Sequence, residues 1–322
     1  MVKHLSGLIL LSLACASGVM AQSGAFPNKP IRVIVPFAPG GGTDVIARPL
    51  TQKLGESLGQ PIVYDNRGGG GGIIGAELVA KAAPDGYTLL LPSSGALVLN
   101  VGLYAKLPYD PVKDFAPVSM IAIAPNVLVL NPALPVRSVA ELIAHAKANP
   151  EKLNWAGSGG GAASMCMELF RMMSEIKVVQ VPFKGAGPAV IAVLAGDAHM
   201  MFGNAGVFIA HMKSGRLRAV GVSSLQRLPA LPDVPTISEA GLKGFEGSSW
   251  YGLVAPRGTP TGVINQLNAE VNKILRTPDI MARYAAEGAI PAGNSPAQFG
   301  EEIRSEITKW VKVIKDAGIK PE

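Results

Sequence analysis

The sequence predicts an α/β protein of two lobes joined by two crossing segments, and three observations carry that expectation. Short β-branched runs alternate with stretches of helical period; glycine-rich turns follow such runs in both halves of the chain; and two extended segments far apart in sequence read as crossings. Strand candidates are residues 31–36, 62–65, 88–91, 127–131, 178–181, 200–202, 219–223 and 250–255. The first helix follows from Ile46, Ala47, Leu50, Leu54 and Leu58, which recur at helical spacing. Ser138 with Glu141 reads as a capping box before a helix ending near Asn149, and Pro188 opens a helix closed by Gly196. Ser295 and Pro296 start the last helix, whose apolar face is Phe299, Ile303, Ile307, Trp310 and Ile314.

The crossings are residues 118–131 and 244–256, both extended in pattern and interrupted by Pro or Gly. If the chain leaves the first lobe in one and returns in the other, lobe 1 is 22–131 plus 246–322 and lobe 2 is an insertion, 132–245. This is the layout of a hinged two-lobed binding protein, with its ligand site in the cleft.

Residues 1–21 read as a secretory signal peptide: Lys3 and His4 precede an apolar run, and Val19-Met20-Ala21 supplies the cleavage site. The run is too short for a membrane span, and Ser12-Leu13-Ala14 is wrong for lipid attachment at Cys15. Cleavage after Ala21 takes one lysine from a 322-residue chain of formal charge +6, leaving 301 residues and +5. Cys166 is then the only cysteine, which excludes an internal disulfide and favours a buried apolar role. The scattered charge and 6% aromatic content argue against a nucleic-acid surface, and no cluster proposes a metal or cofactor.

Function starts at Pro36-Phe37-Ala38-Pro39-Gly40-Gly41-Gly42-Thr43-Asp44, between the first strand and first helix. Contiguous glycines fit neither the dinucleotide fingerprint G-x-G-x-x-G nor a Walker motif, since no Gly-Lys-Ser/Thr follows. They do allow close backbone approach to an anion, with Thr43 or Asp44 capping the helix whose free N–H groups face it. A second turn, residues 157–164, follows a short strand at 153–156 in the other lobe, and Ser93 and Ser94 lie in a third loop after Leu91. Each alone can be a mere connection. Together, at the C-terminal ends of strands, two opposed helix N-termini can hold carboxylates without a buried arginine.

The runs 36–44, Ala80-Lys81-Ala82-Ala83-Pro84-Asp85-Gly86-Tyr87-Thr88-Leu89, 107–115, Val181-Pro182-Phe183-Lys184-Gly185 and Leu231-Pro232-Asp233-Val234-Pro235-Thr236 resemble the Bug family, the extracytoplasmic receptors of tripartite tricarboxylate transporters. The likeness spans essentially all of the chain after the leader, in order. It implies a monomeric periplasmic-binding-protein-like (Venus flytrap) receptor that binds a small organic acid or related metabolite and delivers it to membrane permease subunits. By position it implies ligand contacts at Ala38, Gly40, Gly41, Thr43 and Asp44 in lobe 1 and at Ser158, Gly159, Gly161, Ala162 and Ser164 in lobe 2, with Ser93, Ser94 and Asn204 as additions. Gly160, Ala162 and Met165 depart from the polar residues usual in the second turn, and His199 stands where Asp is common. The departures favour a monocarboxylate or an apolar or aromatic ligand end over a second charged one.

Blander roles compete elsewhere: Asp44 as a helix cap, Lys184 as a solvated loop lysine, Gly68 to Gly72 as a turn beside Arg67. His145 and His211 lack metal-ligand company. The rival function is an exported serine hydrolase using Ser158 or Ser94, but neither serine has the Gly-x-Ser-x-Gly elbow.

Overall fold

The computed structural model describes residues 26–37, 39, 42–157, 161–183, 186–319 and 321. The signal-peptide assignment, 1–21, therefore lies outside the described residues. Two sheets organise the chain. The first runs β11-β4-β10-β3-β1-β2 and the second β7-β6-β8-β5-β9, where β1 is Ile31–Val35, β2 Ile62–Asn66, β3 Thr88–Leu90, β4 Phe115–Ala124, β5 Asn126–Leu130, β6 Asn154–Gly157, β7 Val179–Pro182, β8 Met200–Asn204, β9 Arg218–Val222, β10 Ser249–Pro256 and β11 Ile290–Pro291. Strand β1 pairs parallel with β2 and β3, while β10 lies antiparallel between β3 and β4.

The helices before the second crossing are α1 (Gly42–Leu58), α2 (Ile73–Ala80), α3 (Asn100–Leu103), α4 (Val139–Ala148), α5 (Ala162–Ser174), α6 (Ala186–Ala195) and α7 (Ala205–Lys213); α8 (Thr261–Leu275), α9 (Pro278–Ala286) and α10 (Pro296–Asp316) follow it. Helix α1 buries Ile46, Ala47, Leu50 and Leu54 against the first sheet, which is why a helix forms at that spacing. Helix α10 carries the full capping box of Ser295 and Gln298 and buries Phe299, Ile303, Trp310 and Ile314. Gly252 is open to no other residue at this contact, because three atoms of the Phe299 ring lie within 3.1 Å of where a Cβ would stand. At α4, Ser138 accepts from the Glu141 amide as read from sequence, but Glu141 accepts in return from the Arg137 amide instead of that of Ser138.

Both crossings run side by side. Strand β4 passes into β5 at Pro125, and the returning chain joins β10 with Ser249 opposite Ala124. The Asn126 carboxamide donates to the Gly247 carbonyl (2.8 Å), and the Asn126 amide donates to Ser223 Oγ (2.8 Å), tying the passages together. Two expected boundaries shift. Residues 118–124 belong to the long strand β4, and α6 begins at Ala186, so Pro188 sits inside its first turn, where a missing N–H costs nothing.

Candidate functional site

Residues carried by both sheets line one cavity of about 1170 Å³. On the first sheet's side it meets the start of α1 at Gly42 and Thr43, the loop after β3 at Ser93 and Ser94, and Tyr251 of β10. A π-helical turn, Gly95–Leu99, continues this wall into α3. The Tyr109 hydroxyl donates to the Ala96 carbonyl that the irregular turn leaves available, and Asn100 Nδ2 donates to the Gly71 carbonyl (3.2 Å).

Thr43 and Asp44 are not the cap of α1. The helix already includes Gly42, which places both residues inside its first turn. Asp44 is 4% exposed and turns away from the cavity. Its carboxylate accepts from Tyr64 Oη (2.7 Å), Asn66 Nδ2 (3.1 Å) and both Nε (2.9 Å) and Nη2 (3.1 Å) of Arg48. Asn66 Nδ2 also donates to the Phe37 carbonyl (2.9 Å), so the network fixes the turn entering α1. Burial, then the Asp44 carboxylate, pushes the Tyr64 phenol pKa above its usual range.

On the second sheet's side, β6 leads to Gly161, the N-cap of α5, whose first turn lacks a side-chain cap. Ser164 Oγ and the indole Nε1 of Trp155 are buried without a hydrogen-bond partner among the described residues, and both side chains line the cavity. Glu168, one turn below Ser164, is ion-paired with Arg171. Around them Met165, Met201, Phe202 and Phe208 make an apolar wall. The Phe208 ring lies flat on Gly203, where a Cβ would come within 2.6 Å of it. Asn204 closes β8 at the edge of this wall, and its Nδ2 and the Tyr251 hydroxyl converge on Gly42 from opposite sides of the cleft.

Of the residues singled out from sequence, Thr43, Ser93, Ser94, Gly161, Ala162, Ser164 and Asn204 line the cavity. Ala38, Gly40, Gly41, Ser158, Gly159 and Lys184 lie outside the described residues. Arg67 is committed to Asp65 (2.9 Å), and among the described residues lining the cavity there is no lysine, arginine or histidine. His199 sits at Asn154, away from the cavity, with burial lowering its pKa. Cys166 is fully buried, and burial raises its thiol pKa. Sequence reading missed Tyr251, Trp155 and Glu168. A tyrosine or tryptophan inside a strand pattern carries no local sign that the returning chain turns it into a cleft.

Three solved structures show this architecture. That of a Rhodopseudomonas palustris protein, Rpa4515, described with adipate, aligns at TM-score 0.82 with 38% identity, covering 92% of this chain and 100% of the other. MatC (Rpa3494) from the same organism, described with bound malate, aligns at 0.77 with 35% identity over 90% of this chain and 100% of its own. The periplasmic binding protein BugD aligns at 0.78 with 32% identity over 92% of this chain and 100% of its own. Residues 46–319 match the family described as tripartite tricarboxylate transporter family receptor. With the two-sheet fold and the shared cleft, that match places the chain in the Bug-type receptor family of tripartite tricarboxylate transporters.

Proposed function

We propose that this chain is a periplasmic receptor, without catalytic activity, that captures one small carboxylate-bearing metabolite in the cleft and hands it to a tripartite permease. The lobes that close on it are 22–131 plus 246–322 and 132–245. The observation that carries the reading is a cavity with helix N-termini and hydroxyls facing it but no described cationic side chain. An anion there is held by dipoles: the 17-residue α1 presents roughly half a positive charge at Gly42 and Thr43, and Ser93 and Ser94 add donors. Ala38, Gly40 and Gly41 extend this grip through backbone amides.

The opposite jaw, with Ser158, Gly159, Gly161, Ala162, Ser164 and Asn204, reads the rest of the ligand. Its wall of Met165, Met201, Phe202 and Phe208 and its carboxylate Glu168 disfavour a second anionic end, so a monocarboxylate with an apolar or aromatic body is the preferred class. A thermal-shift screen across monocarboxylates, dicarboxylates, aromatic acids and amino acids tests this: a bound acid raises the melting temperature by mass action, with no turnover. Saturable ester hydrolysis lost in Ser158→Ala would overturn the receptor reading in favour of a hydrolase.

A further inference from the structure

Tyr251 stands where three parts of the molecule meet. It belongs to β10, the strand that brings the chain back from the second lobe, and is bridged to Ser93 beside it. A Cβ placed on Gly42, the first residue of α1, would lie 2.7 Å from the Tyr251 hydroxyl oxygen, 3.8 Å from the ring carbon bearing it and 4.0 Å from Asn204 Nδ2. The hydroxyl thus lies over the positive end of α1 beside the Asn204 carboxamide from the other lobe, a neighbour that lowers the phenol pKa against the effect of burial. Tyr251 is 5% exposed and lines the cavity, and its hydroxyl donates to no atom of the described residues. Burial pushes the phenol up to about 12, so near neutral pH it is a donor and not an anion.

Resting on the receptor reading above, we propose that Tyr251 is a ligand-contacting residue that couples carboxylate capture at the α1 N-terminus to the second lobe through Asn204. Its proton goes to a ligand carboxylate oxygen, and its oxygen accepts from Asn204. A phenol that donates to an anion becomes a better acceptor, so the bound acid strengthens the bridge between the lobes. Glycine at 42 is then a requirement of this arrangement. Its backbone is helical and tolerates alanine, but an alanine Cβ would push the hydroxyl off its station.

The experiment is a double-mutant cycle read by calorimetry with malate, adipate, benzoate and phenylacetate as probes. Tyr251→Phe is expected to weaken every acid that binds the parent protein by about tenfold or more, with the ligand-free melting temperature nearly unchanged. Gly42→Ala produces a similar loss in the parent. On the Tyr251→Phe background it adds less than about twofold, because the oxygen it would strike is gone and the ring carbon at 3.8 Å is an ordinary contact. Asn204→Ala likewise adds little to Tyr251→Phe. Unchanged affinity in Tyr251→Phe, or losses that multiply between positions 42 and 251, overturns the assignment to Tyr251 and leaves the receptor reading standing. A folded parent protein that binds none of the four acids overturns both.

Discussion

Asp44→Ala separates a residue that builds the site from one that touches the ligand. In the structure its carboxylate is spent on protein donors. Arg48 is half exposed and its share is screened by water. Tyr64 Oη and Asn66 Nδ2 are half-buried donors to a carboxylate that is itself 4% exposed. Two hydrogen bonds to a charged acceptor are worth roughly 1.5 to 3 kcal/mol each, and partial hydration of the donors brings the sum to about 2 to 3 kcal/mol. The first turn of α1 also loses a negative charge that its dipole favours. For a chain of this size that corresponds to a melting temperature lower by about 4 to 6 °C. Calorimetric melting of the ligand-free protein measures it, and Asp44→Asn, which keeps an acceptor for Tyr64, is expected to recover about half the loss. Ligand affinity falls as well, because Asn66 also holds the Phe37 carbonyl at the entrance to α1. Melting within about 1 °C of the parent would refute the structural account. If affinity alone collapsed, Asp44 would be a ligand contact.

Two further outcomes follow from packing and titration. Gly252→Ala forces a methyl group into the Phe299 ring and is expected to lose about 1 to 3 kcal/mol by overpacking. Urea unfolding checks it, and Phe299→Leu in the same chain should restore part of the loss. His199 has a folded pKa below the usual histidine value of about 6.5, chiefly through burial. The unfolded chain therefore binds the extra proton first, and stability declines as pH falls below about 6.5 until the folded form also protonates. His199→Gln flattens that segment of the stability–pH curve; an unaltered slope between about pH 5 and pH 7 would exclude the histidine as its origin.

The parts of the fold that were legible in the sequence are those whose signal is local. Helix α10 announces itself through Ser295, Gln298 and an unbroken apolar face, and β1 with α1 through β-branched residues followed by a change of period. Most of strand β4 reads from sequence as part of a crossing, 118–131, because Pro125 interrupts an extended pattern, although β10 pairs along nearly all of β4. Partners on both sides, β10 and β11, each more than a hundred residues away, make it a strand. The same distance hid Tyr251, whose importance comes from where the topology carries it. Asp44 was misplaced for a subtler reason. Its place falls inside the first turn of α1, and its carboxylate also accepts from Tyr64 and Asn66 on the adjacent strand, contacts that no local signal announces.

A cleft in which no described side chain carries a positive charge has a consequence for what happens after capture. Arg32 and Arg48, the cations nearest the first turn in sequence, are held by Asp65 and Asp44. A carboxylate bound by helix ends and hydroxyls keeps its formal charge, so the filled receptor is one unit more negative than the empty one and its affinity varies little with ionic strength. On the proposed function, a transport partner facing the filled cleft would distinguish cargo from vacancy by field as well as by shape.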